Sequence, residues 1–197
     1  MAEIAVIGAG PTGLSCALFL AKAGRKVTVI DTGQTIIRRA NLRNYLGFPD
    51  GLPGYELIER GKTQIEQFGG TVIKGRPVDV QESARGFVIT VADDVIKAAQ
   101  IVLATGMSTA VAEQLGIPIV RGVHATRIVE ADPLGHTVKT GVWAAGVIAG
   151  APVQAIIGAG DGARVAVNLL SDMRGSVYLD HDILPSTKRA PVAGKNR

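Results

Sequence analysis

The sequence predicts an α/β domain: a parallel sheet with helices packed on it and a small antiparallel β-meander serving as a crossover. Three observations point there. An apolar run at residues 4–7 leads straight into the glycine-rich turn Gly8-Ala9-Gly10-Pro11-Thr12-Gly13. Residues 11–23 then place apolar side chains at helical spacing and stop at Gly24. A second apolar run, residues 26–30, ends at Asp31. Strand, helix and strand in about 30 residues form a βαβ unit whose strands lie parallel, so the arrangement is Rossmann-like.

The remaining elements follow from similar signals. Residues 32–53 read as a long loop carrying Arg38, Arg39, Arg43, Asn41 and Asn44, and loops of that length in small domains are usually functional. Residues 55–68 read as a helix stopped by Gly69-Gly70. Residues 71–80, 86–92 and 95–99 read as β segments, with a turn at Asp93-Asp94. Residues 100–104 form a further buried strand running into Thr105-Gly106. Residues 107–140 show no clear periodicity. A short strand at 142–145 and a helix over 153–170 close the domain, and residues 171–197 lack a pattern.

Composition narrows the partners. Of 197 residues, 47% are apolar and 25 are glycine, enough for one packed domain rich in tight turns. The net charge of +4 equals the contribution of Lys188, Arg189, Lys195 and Arg197, so the excess belongs to a basic tail and the body is neutral. That distribution is not the basic face of a nucleic-acid binder. Residues 142–160 are uncharged, yet glycines, Pro152 and Gln154 break them into strand, turn and helix, so no membrane partner is expected. A single cysteine, Cys16, excludes a disulfide within the chain and fits a reducing, cytoplasmic setting. No signal peptide is apparent. His124, His136 and His181 lack metal-ligand spacing, no metal site is expected, and Asp180-His181-Asp182 reads as a solvated turn.

The glycine turn carries the chemistry. Gly8 permits the tight turn, Gly10 lets a pyrophosphate approach the backbone, and Gly13 lets helix and strand pack closely. The helix start beyond Pro11 and Thr12 offers free N–H groups and a positive dipole end to phosphates. Asp31, 21 positions after Gly10, accepts hydrogen bonds from the ribose hydroxyls of an adenine dinucleotide and repels a 2′-phosphate, which argues against NADP.

Five ordered segments resemble the FAD domain of thioredoxin reductase, within the pyridine nucleotide-disulfide oxidoreductase family. They are the glycine turn with Pro11, Asp31-Thr32-Gly33-Gln34, Asn44-Tyr45-Leu46-Gly47-Phe48-Pro49, Ile101-Val102-Leu103-Ala104-Thr105-Gly106, and Gly141-Val142-Trp143-Ala144-Ala145-Gly146 followed by Gln154-Ala155. The resemblance implies a Rossmann-like FAD-binding domain over residues 1–172, in two chain halves joined at about 107–140, and a C-terminal extension over 173–197. It assigns FAD to Gly8, Gly10, Pro11, Thr12, Gly13, Asp31, Thr32, Gly33, Gln34, Asn44, Val78, Ala104, Thr105, Gly106, Gly146, Val147, Gln154 and Ala155. It also implies a homodimer paired through this domain.

Two departures shape the functional expectation. The related enzymes insert an NADPH domain, with the redox cysteine pair, where this chain has only residues 107–140. Val147 stands where the closing motif carries Asp, removing a charge-assisted hydrogen bond of about 1.5–3 kcal/mol, about tenfold or more in FAD affinity. The expectation is an FAD-dependent oxidoreductase served by an external small-molecule electron donor or redox partner protein, with no catalytic acid or base identified. Two alternatives stay open: a non-catalytic flavin-binding, electron-carrier or regulatory module, and an NAD-binding protein. A second dinucleotide turn over residues 154–163, with Asp180 as its ribose acid, is the rival reading of the C-terminal half. Cys16 reads as a buried structural thiol, and Arg38, Arg39 and Arg43 read equally as surface residues or as neighbours of the cofactor.

Overall fold

A computed structural model describes residues 2–179 and 181–183. Strand β1 (Ala2–Ile7) is buried on both faces, with Ile4, Ala5 and Val6 fully enclosed, as its uninterrupted apolar run requires. Helix α1 (Pro11–Lys22) starts at Pro11, whose missing N–H costs nothing in a first turn. It ends where Gly24, at φ +76°, turns the chain back. Strand β2 (Val27–Asp31) lies parallel to β1, with Ile4 opposite Val27 and Ile7 opposite Ile30.

The long loop that follows is partly ordered by its own pairing. A 3-10 turn (Ile36–Arg39) leads into β3 (Asn41–Leu42), which pairs antiparallel with β4 (Leu52–Pro53). Helix α2 (Gly54–Gln67) buries Ile58 and Ile65, and its Gly61 packs on Leu14 of α1. Strand β5 (Thr71–Lys74) then adds parallel to β2, with Asp31 opposite Lys74.

The meander is β6 (Pro77–Ser83), β7 (Gly86–Val91) and β8 (Asp94–Leu103). In β7 the period-two pattern turns Phe87, Ile89 and Val91 inward. The turn before β8 is Ala92-Asp93, one residue earlier than the sequence indicated, because Val91 pairs with Asp94. Residues 95–99 and 100–104 are one strand rather than two. No glycine or proline interrupts them, and the chain changes neighbours instead of breaking. Residues 94–98 of β8 pair antiparallel with β7, whereas residues 98–103 pair parallel with β1.

Residues 104–141 hold the short helix α3 (Ala110–Gln114) and the ribbon of β9 (Ile119–Val120) with β10 (Ile128–Val129). Strand β11 (Val142–Ala144) returns to the sheet parallel to β8. A 3-10 turn (Gly146–Ala149) precedes helix α4 (Ala155–Arg174). The parallel part of the sheet therefore runs β5, β2, β1, β8, β11, with the meander continuing from the first half of β8.

Two apolar clusters fill the two sides of this sheet. On one side Ile4, Val6, Val102 and Trp143 meet Leu14 and Leu20 of α1, Ile58 of α2, and Val165 and Leu169 of α4. On the other, Ala5, Ile7, Ile101 and Leu103 meet Phe87, Ile89, Leu115 and Ile148. Alternate residues of β1 and β8 feed opposite clusters, so a shift of one residue in register would exchange the layers.

The rival reading of the C-terminal half does not hold. Gly158, Gly160, Asp161 and Gly162 lie inside α4, with no strand directly before it. Gly158 and Gly162 serve packing against α1: a Cβ at Gly158 would come within 2.6 Å of the Thr12 hydroxyl, and one at Gly162 within 2.0 Å of the Thr12 carbonyl oxygen. Asp180 and the basic residues 188–197 lie outside the described residues. Among the described residues, no helix is long and apolar enough to cross a membrane.

Candidate functional site

The carboxyl ends of β1, β2 and β8 open onto one groove, where α/β sheets generally take ligands. Gly8, Ala9, Gly10, Pro11 and Thr12 form its floor at the start of α1. Asp31, Thr32, Gln34 and Arg76 stand at one end, and Val147, Val153, Gln154 and Ala155 also line it. Ala104, Thr105, Gly106 and Met107 line it from the end of β8. The cavity measures about 380 Å³, within the usual range for small-molecule sites.

The glycine turn is shaped by close approach. Gly8 has φ +113°, and a Cβ there would lie 2.3 Å from the Ala104 carbonyl oxygen. A Cβ on Gly13 would lie 1.8 Å from the Gly8 carbonyl oxygen. Gly10 differs: its φ is −76°, and an added Cβ would meet only the Thr35 hydroxyl, at 3.4 Å. Its bareness therefore serves the groove rather than the fold. Helix α1 begins there without a side-chain cap and without an acid in its first turn. Its first N–H groups and the positive end of its dipole are thus available to an anion.

Asp31 is 5% exposed and already engaged. One carboxylate oxygen accepts the Gly33 N–H at 2.7 Å, and the other is 2.8 Å from Lys62 Nζ of α2. Each oxygen keeps a second lone pair for a ribose hydroxyl. Arg76 donates to the Gln34 side chain across the same end at 2.5 Å.

The groove is apolar along much of its length. Ile36 and Met107 are 64% and 60% exposed, and Val153 is also accessible. Such side chains are costly to leave in water and suit a planar ring system. Asn44 donates to the Gln154 side chain at 3.0 Å, tying the long loop to the start of α4.

Other residues singled out from the sequence lie elsewhere. Gly13 is packed beneath the floor, Gly33 faces a neighbouring cavity, and Asn44 reaches this region only through Gln154. Val78 sits on β6, largely exposed, with its carbonyl accepting from Gln114. Gly146 is buried at φ +76°, and its N–H donates to Asp161. Arg39 and Arg43 are exposed outside the groove lining, whereas Arg38 pairs with Glu59 at 2.9 Å. Cys16 is fully enclosed under the turn. Burial, reinforced by the Asp161 carboxylate, pushes its thiol up to about 12, so it is no nucleophile in the folded protein.

Sequence reasoning missed Arg76, Lys62, Thr35, Ile36 and Met107. They reach the groove or its acid from segments whose pairing only the fold reveals. The period of α2 puts Lys62 on the same face as the buried Ile58 and Ile65, four and three positions away, and nothing local linked it to Asp31.

A glycine turn opening a helix, beside a strand-end carboxylate, is the arrangement of dinucleotide-binding α/β proteins. The chain belongs to the pyridine nucleotide-disulphide oxidoreductase family, whose model matches residues 2–162. That family is FAD-binding. The chain is 27% identical over 193 residues to thioredoxin reductase 1, mitochondrial, of Arabidopsis thaliana, covering 91% of this chain and 48% of the relative. It is 33% identical over 128 residues to the thioredoxin reductase of Eremothecium gossypii, covering 59% of this chain and 39% of the relative. The chain thus spans half or less of the length of these relatives. Among solved structures, the atypical thioredoxin reductase TRi from Desulfovibrio vulgaris Hildenborough superposes with a TM-score of 0.74 at 21% identity, covering 89% of this chain and 99% of that one. A thioredoxin reductase from Gloeobacter violaceus gives 0.76 at 16% identity, covering 93% and 99%. At these identities the likeness concerns the fold.

Proposed function

We propose that this chain holds FAD along the groove and serves as the flavin-bearing part of an oxidoreductase supplied by an external electron donor or a partner protein. The observation that carries this reading is the joining, in one groove, of the Gly8–Thr12 turn, Asp31, residues 104–106 and the start of α4. The residues fit the cofactor: the uncapped α1 start and Gly10 suit a pyrophosphate, Asp31 suits a ribose diol, and the apolar walls suit a flat ring. When bound, FAD supplies reversible two-electron and one-electron chemistry.

The chain's own part is binding, orientation and exclusion of water. Gly10 admits the phosphates to the α1 N–H groups, and Asp31, oriented by Gly33 and Lys62, accepts the ribose hydroxyls. Met107, Val147 and Val153 shield an apolar ring, and Asn44 fixes the Gln154 side chain at its edge. Among the described residues that line the groove, only Asp31 and Arg76 are ionisable. No acid or base lines the remainder to move a proton, which favours electron transfer over acid–base chemistry and keeps a carrier or regulatory role as a second reading. An NAD-binding role without flavin is the reading that a flavin preference excludes.

Residues 104–141 offer no second parallel sheet for a nicotinamide nucleotide, and Cys16 is the sole thiol. An FAD-loaded preparation should therefore be reduced by dithionite or a donor protein and show no steady NADPH oxidation alone. Sustained NADPH turnover by the chain would overturn the external-donor reading. A homodimer paired through this domain and a cytoplasmic setting belong to the same proposal, tested by sedimentation and by fractionation.

A further inference from the structure

Beyond Asp31 lies a second cavity of about 510 Å³. It shares Asp31 and Thr32 with the groove, so the two spaces meet at the carboxylate assigned to the ribose. Its other walls include Arg38, Lys62 and Lys74, with Glu66 as the opposing acid.

The charges around Asp31 differ from those the sequence suggested. An unpaired acid at this strand end repels a phosphate on the ribose, the basis for expecting that NADP is refused. Here Lys62 Nζ neutralises Asp31 at 2.8 Å. Glu59 holds Arg38 at 2.9 Å and reaches Lys62 at 3.5 Å. Lys74, opposite Asp31 on the neighbouring strand, has no ion pair or side-chain hydrogen bond within the described residues. The wall thus combines an acid already compensated with a cation, Lys74, that forms no ion pair among the described residues.

We infer that this cavity receives a phosphate monoester carried on the adenosine ribose, so that the groove accepts adenine nucleotides phosphorylated at the 2′ or 3′ hydroxyl as well as FAD. Such a group brings about −1.5 to −2 charges and three acceptor oxygens. Lys74 meets the charge as a point cation, Arg38 adds planar donors, and Lys62 keeps Asp31 from opposing it. The inference rests on the groove reading above, since it needs an adenosine seated against Asp31.

The test is titration of the full chain with 5′-ADP, 2′,5′-ADP and 3′,5′-ADP, by calorimetry and by displacement of bound FAD. One phosphorylated nucleotide should bind at least about tenfold more tightly than 5′-ADP, as a charge-assisted contact implies. The 2′ isomer points to an NADP-type ligand and the 3′ isomer to a coenzyme A-type ligand. Lys74→Met, and separately Lys74→Glu, should reduce that preference at least about fivefold relative to 5′-ADP. Equal binding of the three nucleotides, or a preference unmoved by both variants, overturns the inference. If FAD binds and no adenosine bisphosphate does, the cavity proposal fails and the groove reading stands. If FAD also fails to bind, both fall.

Discussion

The Gly146 N–H donates to the Asp161 carboxylate at 2.6 Å, joining the turn after β11 to the second turn of α4. Arg164 holds the other oxygen of Asp161 at 2.8 Å and also donates to the Pro133 carbonyl. Val147, where the related motif carries an acid, follows directly. A carboxylate thus serves this turn from α4 rather than from the motif itself.

That hydrogen bond is made to a charged acceptor that is mostly sheltered, so Asp161→Ala should destabilise the fold by about 2 kcal/mol. In a chain of this size the melting temperature should fall by about 4–8 °C. A thermal scan of wild type and variant decides the matter, and a shift under about 1 °C would remove Asp161 from the account.

Gly10 and Gly13 should separate binding from folding. Gly10→Ala has room for its methyl and no positive φ, so the melting temperature of the cofactor-free protein should stay within about 2 °C. Its FAD affinity should fall at least about tenfold, because the methyl stands in the phosphate approach. Gly13→Ala drives a Cβ against the Gly8 backbone and should cost about 3 kcal/mol or more. Unfolding curves with FAD titrations distinguish the two. A Gly10→Ala protein that binds FAD normally contradicts the assignment.

Ala92 is a non-glycine residue at φ +51°, in the two-residue turn between β7 and β8. A left-handed alanine costs about 1–2 kcal/mol, and glycine gives back part of this through a freer unfolded chain. Ala92→Gly should therefore stabilise by about 0.5–1 kcal/mol, read from the urea midpoint at unchanged slope. Destabilisation would show that the turn relaxes without cost.

Asp132 folds the loop before β11 onto itself. Its Oδ1 accepts the N–H groups of Leu134, Gly135 and His136 at 2.8–2.9 Å, and Oδ2 meets His136 Nδ1 at 2.9 Å. Burial raises this carboxyl, but the hydrogen bonds from His136 and Gly135 outweigh it and hold it below its ordinary value of 3.8. A depressed carboxyl stabilises the fold above the unfolded value, and that contribution is lost as pH falls through the folded one. Denaturant midpoints measured from about pH 6 down to pH 3 should therefore drop less steeply below about pH 4 in Asp132→Asn than in wild type. Parallel curves would show that Asp132 is not coupled to folding.

What could be read in the sequence was local. The β1–turn–α1–β2 unit, with Asp31 at its end, follows from adjacent residues, and the helix over 153–170 emerged as α4. The single strand β8 was split because sequence alone does not reveal a change of neighbour midway. The roles of Lys62, Lys74 and Arg76 were invisible for a related reason: each depends on which strand or helix packs beside Asp31. The role of Asp161 was hidden in the same way, since its partner is the backbone of Gly146, 15 positions earlier. Residues 107–140 resisted reading because they contain a five-residue helix and two-residue strands, too short for any period to register.

The most direct test of the central claim is the visible absorption spectrum of the purified full chain after incubation with FAD and removal of the free cofactor. The account predicts retained bands near about 370 and 450 nm, characteristic of the flavin, and their loss in Gly10→Ala. A folded wild-type protein that stays colourless after that treatment contradicts it.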